Sequence, residues 1–274
     1  MGDEARPSTG HGSAVMHGGR THERPSERIE ARLEWARRRI EQVETEVQGL
    51  KADGGLYDVV PEPQGDGHTY LYRAHVRRPI PADLGFIVGE CIHELRATLD
   101  NIAWALVSDY RTPYWRLAFP VCQTEASFRK IALDRFAGIP QGALDIIDAA
   151  QPYHSPKATR GAHWLNLLDR RWNRDKHRSP VVVGMLPLGT AFYFDERPTD
   201  TWIVTGTPIE EGMVVGGITL AAGQKTDFQA VFTFQVTLDE EGTTTLARTL
   251  PGVLQANYGL IRLSVFERLR PFFK

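Results

Sequence analysis

Arg170 and His177 belong to the densest cluster of charged, amide and imidazole side chains in this sequence. They stand seven residues apart on a predicted helix, so they point the same way, two turns apart. A guanidinium can bind a phosphate through two parallel hydrogen bonds, and an imidazole can move a proton near neutral pH. The spacing therefore predicts phosphate chemistry with Arg170 and His177 as catalytic residues. The same two side chains are equally suited to a buried ion-pair network.

The polar side chains of this helix form a stripe. Asn166, Arg170, Asn173 and His177 step by four, three and four residues, which places them on one face. As a third catalytic residue, Asn173 would orient a phosphate bound by Arg170. The alternative is a solvated face or a hydrogen-bond network inside a helical bundle, which is the usual role of a polar helix face. The other predicted binding residues of this segment are Arg171, Arg174, Lys176 and Arg178.

A second predicted helix offers the matching half of a site. His93, Arg96 and Asp100 lie at positions i, i+3 and i+7, beside a seam of apolar residues. Asp100 would fix the orientation of the catalytic His177, while His93 and Arg96 would bind the substrate. In the alternative, Asp100 belongs to a structural network with Arg96, Asp175 and His177, because buried charges are tolerated only when they are paired.

The sequence predicts neither a metal ion nor a cofactor. Glu90 and His93 match the Glu-x-x-His pattern of metal sites in helical bundles once, whereas a di-metal site needs that pattern twice. The arginines and lysines of the motif would also repel a cation. The glycine spacing matches no phosphate loop, dinucleotide fingerprint or nucleophile elbow.

The composition is typical of a soluble globular protein, with 42% hydrophobic and 24% charged residues among 274. The net charge of −2 excludes a general attraction to nucleic acid, but residues 154–178 hold seven basic residues against two acidic ones. This local patch predicts RNA as a partner. No apolar run approaches the roughly 20 residues of a membrane span, and a signal-peptide core is absent. Cys91 and Cys122 are predicted to be buried apolar residues of a cytoplasmic protein.

Hydrophobic periodicity predicts an α+β protein in which an N-terminal helical bundle with a β-hairpin insertion precedes an antiparallel sheet and a C-terminal helix. The motif helix is predicted over 158–176, and 228–237 is predicted as one strand. The predicted parts are a disordered tail at 1–25, the bundle at 26–178 with its hairpin at 56–77, the β region at 179–250, and a helix at 251–274 that packs back.

Four motifs resemble the signature of a family of uncharacterised bacterial and phage-associated proteins. That signature is an LRxxLD(H/N) helix followed by FP, QPY and DKHR. Its counterparts here are LRATLDN at 95–101, Phe119-Pro120, Gln151-Pro152-Tyr153 and NRDKHR at 173–178. The resemblance covers about residues 80–180 and implies no particular activity.

A helical bundle in which four to six residues separate an arginine from a following histidine on a late helix is also similar, more distantly, to the HEPN superfamily. Six residues separate Arg170 from His177, and five separate Arg171 from it. This resemblance implies a metal-independent ribonuclease of the toxin or phage-defence type, acting as a homodimer formed through its helices.

Two functions from different classes follow from these patterns. In the first, the protein cleaves RNA: His177 moves the proton of the 2′-hydroxyl or of the leaving oxygen, and Arg170 stabilises the developing phosphorane charge. In the second, the protein is a non-enzymatic scaffold or partner-binding protein. Its cluster of Arg96, Asp100, Asp175 and His177 is then a structural ion-pair network.

Overall fold

The structure is a computed structural model that describes residues 24–52, 55–107, 117–175, 182–185, 191–194, 196–224, 228–238 and 249–273. Its helices are α1 Pro25–Ala52, α2 Ala82–Leu106, α3 Glu125–Arg135, α4 Gln141–Ala149, α5 Trp164–Asp175, α6 Leu250–Gly259 and α7 Glu267–Leu269. A π-helical segment, Leu260–Phe266, joins α6 to α7. Its strands are β1 Tyr57–Pro63, β2 Thr69–Val76, β3 Val182–Met185, β4 Ala191–Phe194, β5 Asp200–Ile203, β6 Val214–Thr219, β7 Phe228–Val231 and β8 Gln235–Leu238. All strand pairs are antiparallel, and the predicted α+β class is confirmed.

The antiparallel pair of α1 and α2 forms the centre of the helical part. Two ion pairs show this direction, because Arg32 pairs with Glu94 at 2.8 Å while Arg39, further along α1, pairs with Glu90 at 3.2 Å. Apolar residues repeat along α1 in steps of three and four, and this seam is buried against α2 and the C-terminal helix. The seam residues of α1 are Ile29, Leu33, Ala36, Ile40, Val43, Val47 and Leu50.

The C-terminal helix packs on the bundle, whereas the sequence had left open whether it packs on the bundle or on the sheet. Leu254, Ile261 and Val265 are buried in the same core as the α1 seam. At the end of the helix, Arg270 bonds Glu30 of α1 at 3.0 Å. Within the described ranges, no helix has the length and apolarity needed to cross a membrane.

Helix α5, which carries the motif, begins at Trp164, so the predicted start at 158 is wrong. A separate 3-10 turn over Arg160–Ala162 precedes it, and His163 follows that turn in extended backbone. His163 then serves as a cap, since its Nδ1 accepts a hydrogen bond from the N–H of Leu165 at 3.3 Å. The helix starts later than predicted because this cap satisfies a backbone donor of the first turn.

The predicted hairpin is confirmed as β1 and β2, and β2 also pairs with β6 from the second half of the chain. The strand order of this sheet is β1-β2-β6-β5. Tyr72 of β2 packs against Phe192 and Phe232 in a second, smaller core, with ring centroids 5.7 and 5.0 Å away. The hairpin therefore links the helical part to the β region.

The prediction of one strand over 228–237 is wrong, because β7 and β8 belong to different two-stranded sheets. Phe232 and Phe234 lie between them and pack into different cores. Phe232 contacts Tyr72, whereas Phe234 stands edge-on to Tyr57 with ring centroids 5.2 Å apart. The strand breaks here because the two half-buried aromatic side chains pack against separate cores.

Candidate functional site

The guanidinium of Arg96 lies at the centre of the contact between α2 and α5. Arg96 is 4% exposed, which is rare for an arginine and requires partners for its charge. Its Nη1 donates to Asp100 at 2.5 Å, and its Nε faces Asp169 of α5 at 3.4 Å. The ring of Trp172 covers it, with 5.1 Å between Cζ and the ring centroid. We call Arg96, Asp100, Asp169, Trp172 and Asn173 the Arg96 cluster.

The Arg96 cluster also holds a buried backbone segment that is neither helix nor strand, residues 117–122. Arg96 Nη2 donates to the carbonyl of Phe119 at 3.0 Å, and Asp100 Oδ1 accepts from the N–H of Phe119 at 2.9 Å. Both backbone polar groups of Phe119 are thus paired by side chains of α2. Burial raises the pKa of Asp100, and the positive charge of Arg96 opposes that shift.

A second side chain continues this pairing along the same segment. Gln151 is fully buried, and its Oε1 accepts from the N–H of Cys122 at 2.9 Å. Its Nε2 donates to the carbonyls of Pro120 at 3.1 Å and of Ile147 at 2.9 Å. The LRxxLD, FP and QPY motifs of the sequence therefore meet at one place, where the first and third supply hydrogen bonds to the backbone of the second and its neighbours.

On α5, the acidic partner of Arg96 is Asp169. The structural network predicted from the sequence included Asp175 instead, together with His177, which lies outside the described residues. Asp175 lies two turns further along and contacts Gly89, where a Cβ atom would come within 2.6 Å of its Oδ1. Burial raises the pKa of Asp175, and nearby His93 opposes the shift. His93 itself is exposed and stands apart from the Arg96 cluster.

The predicted catalytic residues of α5 fall in different surroundings. Asn173 is exposed, and its Nδ2 donates to Asp169 Oδ2 at 3.1 Å, so it belongs to the Arg96 cluster. Arg170 is exposed and donates to the carbonyl of Gly161 at 3.1 Å. Asn166, from the same stripe, is buried and donates to the carbonyl of Arg160 at 2.7 Å.

Of the remaining predicted residues on this segment, the structure describes only some. Arg171 and Arg174 are half-buried on α5. His177, the predicted general acid or base, lies outside the described residues, as do Lys176 and Arg178. Of the predicted residues, the structure thus brings together Arg96, Asp100 and Asn173.

Asp169 and Gln151 are the residues that sequence reasoning missed. A signal for Asp169 was available, since it precedes Trp172 by three residues and Asn173 by four and therefore shares their side of the helix. Gln151 stands next to a proline at a predicted helix end, which is typical of an exposed turn residue. Its burial depends on the path of residues 117–122, which no local pattern reveals.

Among the described residues, no group of three or more histidine, cysteine, aspartate or glutamate side chains is arranged to hold a metal ion. Comparison of the chain with protein-family models, curated proteins and solved structures gives no match. The role of the Arg96 cluster must therefore be inferred from its geometry.

The His163 cap gives a pH-dependent contribution to stability. Burial lowers the pKa of His163, so below its ordinary value of about 6.5 the unfolded chain binds the proton more readily than the folded one. This contribution is complete above that value and is lost as the pH falls through the folded pKa. His163→Asn keeps a capping acceptor and removes the titration.

We expect the free energy of unfolding, measured with urea at pH about 7.5 and about 5, to fall less in His163→Asn than in wild type. All other ionisable groups are the same in both proteins, so the difference between the two pH dependences isolates His163. Identical pH dependences would show that its imidazole is not coupled to folding.

Proposed function

We propose that this chain is a non-enzymatic, partner-binding scaffold in which the Arg96 cluster is structural. The observation that carries this proposal is the engagement of all three guanidinium nitrogens of Arg96, by Asp100, Asp169 and the carbonyl of Phe119. The ring of Trp172 covers the same group. A guanidinium bound in this way fixes the position of three chain segments, and because Arg96 is 4% exposed, little of it is open to a substrate.

A structural role and a catalytic role of Asp100 predict different effects of its substitution on the free energy of unfolding. Its Oδ1 accepts hydrogen bonds from both Arg96 and Phe119. Asp100→Ala leaves a buried charge and a buried N–H without this partner, and removing one member of a buried ion pair costs about 3–5 kcal/mol. Asp100→Asn keeps an oxygen at that position.

We therefore expect Asp100→Ala to lower the free energy of unfolding by about 3–5 kcal/mol in urea denaturation. Asp100→Asn should cost clearly less, and Glu46→Ala, at an exposed position of α1, should stay within about 0.5 kcal/mol of wild type. An Asp100→Ala protein as stable as the Glu46→Ala control would contradict the structural role.

A second candidate is the metal-independent ribonuclease suggested by the HEPN resemblance. Its support is that Arg170 and Asn173, from the predicted catalytic stripe, are both exposed on α5. Lys157, within the basic patch 154–178, is exposed as well and would contribute to binding RNA. In this candidate, His177 transfers the proton and Arg170 stabilises the charge on phosphorus.

Cleavage of a single-stranded RNA in the presence of EDTA separates the two candidates. The scaffold proposal predicts the same absence of cleavage in wild type, His177→Ala and Arg170→Ala. The ribonuclease predicts cleavage by wild type that falls at high salt and is lost in His177→Ala, and this result would overturn the scaffold proposal.

The proposed scaffold associates with a second copy through the outer face of α1 and α2. Phe86 on α2 is 60% exposed, and Trp35 on α1 is 43% exposed beneath the guanidinium of Arg39. Arg39 and Glu90 join the two helices between these aromatic residues. Helices of 28 and 25 residues extend about 40 Å and pack about 10 Å apart, which is enough for the roughly 800 Å² that each partner of a stable dimer buries.

Light scattering during size-exclusion chromatography tests this association. We expect a dimeric mass for wild type and a monomeric mass for Phe86→Glu and Trp35→Glu, because a charge cannot be buried in the interface without a partner. Leu133→Glu is the matched control, since Leu133 on α3 is 81% exposed and lies outside this face. A monomeric wild type, or equal dissociation by Leu133→Glu, would remove the dimer from the proposal.

The proposal also places the protein in the cytoplasm. Cys91 and Cys122 are both unpaired and buried. Burial raises the pKa of Cys91 to about 12, so its reactive thiolate form is suppressed at neutral pH. Two reduced cysteines that serve as small apolar core residues suit a reducing compartment.

A further inference from the structure

The exposed strand β5 carries an indole that lies flat on the sheet. Trp202 is opposite Gly217 of β6 in the strand register. A Cβ atom at Gly217 would come within 2.7 Å of Trp202 Nε1 and 2.8 Å of its Cε2, so only glycine lets the ring lie against the sheet. Trp202 is nevertheless 43% exposed. One ring face thus rests on the sheet, and the other is open to solvent.

A carboxylate accompanies this ring on the same face of the strand. Asp200 precedes Trp202 by two residues, so the two side chains project from the same side of β5 about 7 Å apart. Asp200 is exposed and faces Thr219 in the register, so no cation stands opposite it on β6. Both a carboxylate and the π face of an indole attract cations.

The backbone of β5 offers a third element of recognition. In the strand order β1-β2-β6-β5, this strand is an edge of the sheet and, within the described part of the chain, pairs with β6 alone. An edge strand presents N–H and C=O groups to which an extended peptide can add as a further strand. On the opposite edge, Pro61 and Pro63 of β1 remove backbone donors. The two edges therefore differ in their capacity to accept another strand.

We propose that the β5 edge binds an extended basic peptide segment of a partner protein by strand addition. Lysine or arginine residues at alternate positions of that peptide would reach Trp202 and Asp200, while its backbone pairs with β5. Charge decides between this partner and an anionic one, because the exposed charged residues of 196–200 are Glu196, Asp200 and a single arginine, Arg197. The inference rests on the proposed partner-binding function and names the class of partner for a second surface.

Calorimetric titration with synthetic peptides tests the proposal on the full chain. The probes are acetylated, amidated Lys-Thr-Lys-Thr-Lys-Val, the same peptide with Glu in place of Lys, and the lysine peptide with alternate backbone nitrogens methylated. We expect the lysine peptide to bind at least about tenfold more tightly than the other two. Absence of binding to the lysine peptide, equal binding of the glutamate peptide, or undiminished binding of the methylated peptide would overturn the proposal.

Variants then locate the site. Trp202→Ala should weaken binding of the lysine peptide by about threefold to tenfold. Asp200→Lys should reduce the preference for the lysine peptide over the glutamate peptide, and loss of folding cannot mimic such a change in preference. Tyr193→Ala is the matched control, since Tyr193 on β4 is 60% exposed and belongs to another sheet. A Tyr193→Ala protein that loses as much affinity as Trp202→Ala would place the site elsewhere.

The outcomes of this experiment are separate from those that decide the proposed function. RNA cleavage dependent on His177 would overturn the scaffold proposal, whatever the peptides do. Failure of the lysine peptide to bind would remove the β5 site and leave the structural role of the Arg96 cluster, measured by urea denaturation, unaffected.

Discussion

Buried backbone polar groups must be paired, and in this protein that requirement falls on a segment that is neither helix nor strand. Residues 117–122 run through the core. Side chains of other chain segments supply the hydrogen bonds that a helix or a neighbouring strand would otherwise provide. Arg96 and Gln151 are the main suppliers. Because an arginine is costly to bury, its charge in turn requires Asp100 and Asp169. Because Asp169 belongs to α5 and Arg96 to α2, this pairing determines where α5 packs against α2.

The sequence motifs have a structural role in this fold. Residue types associated with catalysis, such as an arginine with two carboxylates, are here occupied with one another and with peptide groups. Asp100 and Asp169 are about one-quarter exposed, so the cluster reaches the surface, but its central guanidinium does not. A motif of this kind can therefore maintain a backbone path without binding a substrate.

Periodicity along single elements was sufficient to predict the helices, the hairpin and the α+β class. Apolar residues in steps of three and four predict the α1 seam, and alternating residues predict the strands of the hairpin. Both patterns are visible in the sequence itself. The break between β7 and β8 was not predictable, since it arises from Phe232 and Phe234 packing into separate cores. Asp169 was missed for a similar reason: its role depends on which turn of α5 crosses Arg96. Long-range packing determines both the break between β7 and β8 and the role of Asp169.

The pairing of β2 with β6 constrains the order in which parts of the protein can fold during synthesis. These strands are neighbours in the sheet, yet about 140 residues of chain separate them. During synthesis, β2 leaves the ribosome long before its partner, with one edge unpaired and an apolar side uncovered. The β2–β6 pair must therefore form late, and closing the long stretch of chain between the two strands has a large entropic cost. Until that pair forms, the unpaired edge of β2 in a nascent chain can associate with the wrong partner.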